Sequence, residues 1–121
     1  MVLSWEDVRW SGLCDGYNVV IHEFAHKLDM ASGAANGLPR LHSGMRADEW
    51  AAAFAPAYED FCRRVDANED TVLDPYAAES PAEFFAVLTE YFFELPEALH
   101  RSYPAVYGQM RRYYRQDPLA P

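Results

Sequence analysis

The sequence predicts an α+β domain in which helices dominate and one short strand-like segment, Val2-Leu3-Ser4-Trp5, leads in. Three observations carry that reading. Apolar residues recur at helical spacing through most of the chain, Pro, Asn, Asp and Gly clusters punctuate those runs, and the strand-like segment stands alone at the start. With 121 residues, half of them apolar and 15% aromatic, the chain has the length for one well-filled core. It has no linker and no repeat, so residues 1–121 read as a single domain.

The elements follow in order. Asn18 is placed to cap a helix over about 18–31, and Val20, Phe24 and Leu28 at i, i+4, i+8 give it a core-facing stripe. His22, His26 and Asp29 fall within about 60° of one another, away from that stripe. A loop containing glycines runs from Ser32 to Gly44. Trp50, Phe54, Tyr58, Phe61, Cys62 and Val65 then mark a long helix that Pro56 should kink or divide. Residues 67–79 read as loop. Ser80 as cap and Pro81 at the first helical position start a helix that ends near Glu94, before Pro96. Phe84, Val87, Leu88, Tyr91 and Leu95 would be its apolar side, with Glu83, Glu90 and Glu94 within about 40° on the other. A last helix spans about Pro104 to Tyr114, and the opening strand offers an edge to which an extended peptide can add.

The run His22-Glu23-Phe24-Ala25-His26 carries chemistry. Residues i and i+4 lie about 40° apart around a helix and roughly 6 Å along it, so two imidazoles can point at one metal ion. Glu23 sits just outside that pair, where a carboxylate can hold and deprotonate water activated by the metal. The alternative reading is a surface helix with solvated histidines. Zinc peptidases use three protein ligands and leave a position open, so one more donor is needed. A His-x-x-Gly-x-x-His continuation is excluded, because positions 29 and 32 are Asp and Ser. Glu83, on the helix starting at Ser80, is the leading candidate and Glu90 its rival; Glu83 three residues after Ser80 also spells a capping box. Asp29 reads either as a carboxylate behind a ligand histidine or as a charge at a helix end. His42 and His100 lack partner spacing and read as surface residues.

The segments Val2-Leu3-Ser4-Trp5, Asp15 to Asp29, Asn36-Gly37, Tyr76-Ala77-Ala78, Pro81 to Val87 and Tyr114 to Pro118 together resemble the catalytic part of the Mlc titration factor A family. That family is similar in its active centre to the anthrax lethal factor peptidase, and both are gluzincins. The resemblance covers nearly the whole chain. It implies a zincin-like fold with one Zn2+ per chain held by His22, His26 and Glu83, Glu23 as catalytic base, and Tyr76 as a hydroxyl donor at the site. It also implies an aminopeptidase-like preference for short peptides and, from the family's name, a sugar-system transcriptional repressor as an alternative partner. Against full-length members, the chain reads as a minimal catalytic domain without their N-terminal region.

Net charge −9 argues against nucleic acid, whose phosphates would be repelled. Cys14 and Cys62 have no framework spacing and read as reduced thiols. No export signal or membrane-length apolar run is present in the sequence, which fits a cytoplasmic location. Three functions stand: a zinc peptidase, a metal-stabilised module that binds a repressor, and a helical domain without metal. A base at Glu23, which binding alone does not require, favours the first.

Overall fold

A computed structural model describes residues 19–31 and 36–120, which form five α-helices and a 3₁₀ turn, with no strand among the described residues. Helix α1 is Val19–Met30, α2 is Ala47–Asp66, α3 is Pro81–Glu94, α4 is Pro96–Ser102 and α5 is Pro104–Tyr114, with the 3₁₀ turn at Pro75–Ala78. The expected strand at 2–5, the Asn18 cap and Cys14 lie outside the described residues.

Helix α3 is the axis of the fold. Ser80 Oγ accepts the N–H of Glu83 at 3.1 Å and Pro81 occupies the first turn, where its missing N–H costs nothing. The expected two-sided helix is not what forms. Phe85, Ala86, Thr89 and Phe92 are as completely buried as Phe84 and Leu88, and Glu90 is only 2% exposed. A helix that is apolar almost all round is stable only when neighbours cover every side. Helices α1, α4 and α5 and the 3₁₀ turn all pack on it.

Helix α2 runs unbroken through Pro56, against the expected kink or division. Pro56 removes the N–H that would bond Ala52, but both residues face solvent, so water can take the freed carbonyl. The inner side of α2 stacks Trp50 on Phe54 and sets Phe54 and Phe61 against Phe84. The helix stops where Asn68 adopts a left-handed conformation, φ 58°.

Pro96, expected only to end α3, also begins α4. The same device starts α5 at Pro104, so three consecutive helices open on proline. Within the expected loop 67–79, Asp74 and Pro75 start the 3₁₀ turn in the same manner.

The largest departure is in α1. Phe24, placed on the core stripe by periodicity, is 56% exposed, while Ala25 and Asp29 are completely buried. The inner stripe is His22, Ala25, His26 and Asp29 at i, i+3, i+4, i+7. Alanine brings the helix close to its neighbour, and the polar members can be buried because each finds a partner.

Gly37 ties these parts together. Its φ is +83°, and a Cβ there would lie 2.6 Å from the carbonyl oxygen of Pro81, so only glycine fits against the start of α3. Its N–H donates to Asp29 Oδ2 at 2.8 Å and its carbonyl accepts Trp50 Nε1–H at 3.0 Å. The loop thereby joins the end of α1, the start of α3 and the wall of α2.

Candidate metal centre

His22 and His26 reach from α1 to Glu83 in the first turn of α3. Their Nε2 atoms are 3.2 Å apart; His22 Nε2 is 3.0 Å from Glu83 Oε2 and His26 Nε2 is 2.8 Å from Oε1. The alternatives left open for Glu83 resolve into a division of labour. Its backbone N–H takes the Ser80 cap, while its carboxylate goes to the two imidazoles. The cap fixes the backbone that aims the carboxylate.

These three residues form the candidate cation site among the described residues. Ligand atoms around a tetrahedral zinc with bonds of about 2.0–2.1 Å sit roughly 3.3 Å apart, close to the spacings seen. The donor set also fits. Two Nε2 atoms in contact can share at most one hydrogen, and the carboxylate offers only acceptors, so a cation satisfies three sets of lone pairs together. Side-chain exposures of 18–20% leave the cluster walled in but reachable from solvent.

Glu90, the rival for the third donor, faces the other nitrogen of His22. It lies two turns beyond Glu83 on the same side of α3, and its Oε2 is 3.2 Å from His22 Nδ1. The His22 ring thus spans both carboxylates, Nε2 toward Glu83 and Nδ1 toward Glu90. A buried carboxylate on the far nitrogen fixes the ring's tautomer and tilt and makes it a better ligand. Burial pulls the His22 pKa down, but the hydrogen bond and charge of Glu90, joined by Glu83, outweigh it and hold the imidazole above its ordinary value. The site's field favours a positive charge at that ring.

Asp29 was the sequence candidate for the carboxylate behind a histidine. It is buried at the base of the loop, where it accepts the N–H groups of Asn36 at 3.2 Å and Gly37 at 2.8 Å. The signal for Glu90 was present in its seven-residue spacing from Glu83, equal to two helical turns. Nothing local marked it as buried.

Glu23 lies on the flank of α1, half-buried. Tyr76 stands at the rim, 47% exposed, its ring edge-on to His22 with centroids 6.3 Å apart. Its turn is held from both ends. Asp74 Oδ1 accepts the Tyr76 N–H at 3.0 Å, and the Tyr58 hydroxyl and Cys62 thiol of α2 donate to the Ala78 carbonyl at 3.1 and 3.8 Å. The charge of Glu83, then burial, raises the Tyr76 phenol above its usual range, which keeps its proton available for donation.

His42, expected on the surface without a partner, is part-buried: its Nε2 lies 2.6 Å from the Tyr113 carbonyl and its ring stacks on that of Tyr113. His100 is exposed, edge-on to Tyr107.

The chain is similar to several known proteins. The chain is 49% identical over 122 residues to Mlc titration factor A of Edwardsiella ictaluri, covering 98% of this chain and 46% of that protein. It is 46% identical over 124 residues to Mlc titration factor A of Yersinia pestis, covering 99% and 45%. It is 43% identical over 117 residues to the uncharacterized protein slr2042 of Synechocystis, covering 97% and 42%. The chain thus spans less than half the length of these curated relatives. Residues 1–115 match the family model described as glucose-regulated metallo-peptidase M90, and the chain belongs to that family.

Proposed function

We propose that this chain carries the catalytic centre of a zinc-dependent peptidase, with His22, His26 and Glu83 holding one Zn2+ per chain. The observation that carries the reading is the closed triangle of two Nε2 atoms and one carboxylate, reachable from solvent and backed by Glu90. Zinc at such a site supplies Lewis acidity to a scissile carbonyl and lowers the pKa of water toward about 7. Glu23 accepts the proton of the attacking water and returns it to the departing amine. The Tyr76 hydroxyl donates to the carbonyl oxygen as negative charge develops there, a contribution of about 10² to 10³ in rate for one such donor. Glu90 holds His22 in place throughout. The substrate class is peptide, with the aminopeptidase-like preference for short peptides that the resemblance implies.

The relatives' printed name, Mlc titration factor A, supports a second reading, a module that binds a transcriptional repressor of a sugar system. The two readings separate on Glu23, which hydrolysis needs and binding does not.

The test is metal analysis of purified protein with hydrolysis of a fluorogenic peptide panel. Glu23→Gln should keep about one zinc and lose about 10² to 10⁴ in turnover, the usual contribution of a general base. Glu83→Ala should bind zinc far more weakly. Full activity in Glu23→Gln would rule out the peptidase reading.

A further inference from the structure

We propose that the open recess beside the C-terminal turn of α5 docks an acidic segment of a partner protein. The recess, about 410 Å³, is formed by the loop around His42 and Gly44 together with Arg111, Arg112 and Arg115. It is built from other elements than the α1 and α3 side chains of the cation site.

Three guanidinium groups within five residues are unusual in a chain of net charge −9. Among the described residues, arginine ion pairs join Arg46 to Asp48, Arg63 to Asp60, and Arg64 to Asp60 and Glu69, and none involves these three. Asp117, the acid nearest in sequence, accepts the Tyr107 hydroxyl at 2.5 Å. A helix C-terminus carries about −0.5 of a charge, which one cation offsets. Two of the three arginines are therefore surplus to the helix.

The walls are fixed before any partner arrives. Arg112 Nη2 donates to the Gly44 carbonyl at 3.0 Å, which pins one guanidinium across the loop and leaves it with further N–H donors. His42 anchors the loop's opposite end through the Tyr113 carbonyl and ring. Arg115 sits in the left-handed region at φ 55°, ψ 37°, where asparagine or glycine would be the easier residue.

Guanidinium groups bind carboxylates through paired N–H donors, so an array of them recognises clustered Asp and Glu side chains. The shallow, open shape suits groups presented on another protein's surface, whereas a small molecule is ordinarily engulfed. The acidic remainder of the chain repels an acidic partner from other approaches and orients it to this one. A long nucleic acid would have to cross those same repelling faces.

The test is fluorescence anisotropy of a labelled Glu-rich decapeptide at low salt. We expect saturable binding that weakens about tenfold or more in Arg111→Gln/Arg115→Gln, a pair that leaves the Arg112 to Gly44 bond intact. Arg46→Gln/Arg63→Gln makes the same change in net charge elsewhere and should leave binding within about twofold. Equal loss in both pairs, no loss in the first, or tighter binding of a duplex oligonucleotide than of the peptide would overturn the proposal. If the first pair fails to fold, amide shifts in the wild-type protein decide: titrated peptide should move Gly44 and Arg112, and unmoved signals there would refute it.

Discussion

Helices α1 and α3 meet at the candidate metal centre but are stabilised in different ways. Helix α3 is buried on every side from Phe84 to Phe92, mostly by aromatic and aliphatic neighbours, and its two site carboxylates stand out in a largely apolar surface. Helix α1 leaves Phe24 and Met30 in solvent and turns inward a stripe containing two imidazoles and a carboxylate. One helix is a rigid platform held by hydrophobic burial. The other adds to the burial of Ala25 and Leu28 a set of polar contacts whose geometry a bound cation would complete. Damage to the platform should therefore unfold the chain, whereas damage to the polar seam should loosen the metal first.

The largest expected effect falls on α3. Phe84→Ala should destabilise the protein by about 3–5 kcal/mol, as for a large core aromatic replaced by alanine, and thermal unfolding would read it. A near-wild-type melting temperature would mean α3 is not the platform. At the seam, Glu90→Gln should weaken zinc binding about 10- to 100-fold in competition with a chelator, while the fold persists. Since Glu90 and Glu83 strengthen the proton's hold on His22, protons compete with zinc, and wild-type affinity should fall as pH drops through and somewhat above the ordinary imidazole range. Affinity independent of pH there would argue against His22 as a ligand.

Between the two lies Gly37→Ala, which strains a positive-φ position and drives a Cβ into the Pro81 carbonyl. It should cost about 1–3 kcal/mol and displace the start of α3, lowering stability and zinc affinity together. The smallest effect belongs away from both helices. Hydrogen bonds from Arg64 and Arg63, with a further one from the Tyr103 hydroxyl, lower the Asp60 carboxyl from 3.8 to about 2. Because the folded pKa is the lower one, this contribution is present above about 3.8 and lost as pH falls toward about 2. Asp60→Asn should therefore melt slightly below wild type at neutral pH and converge with it in acid, with zinc binding untouched.

Much of this was legible in the sequence, for identifiable reasons. Ser80-Pro81 and Pro104 mark helix starts through backbone chemistry that holds in any context, and the boundaries of α3 and α5 follow. The pairing of His22 and His26 follows from helical spacing, whereas spacing left Glu83 and Glu90 both open as the third donor and only the family resemblance favoured Glu83. The inward face of α1 was not legible, because periodicity ranks residues by apolarity and favours Phe24 over Ala25. Only the partner helix shows that a small residue permits close approach and that Glu83 and Glu90 make two imidazoles cheap to bury. Asp29, left open between two readings, accepts backbone N–H groups of a loop, which side-chain patterning does not show. Helix α4 was missed although its signal was visible, since Pro96 was read as the end of one helix and not as the first residue of the next.

The cation site itself can be seen directly. Crystals of the zinc-loaded protein, measured on both sides of the zinc absorption edge, should show one anomalous peak per chain bounded by His22 Nε2, His26 Nε2 and the Glu83 carboxylate, with Glu90 on the opposite nitrogen of His22. An absent peak, or a peak elsewhere with Glu83 turned away from both imidazoles, would contradict the proposed metal centre.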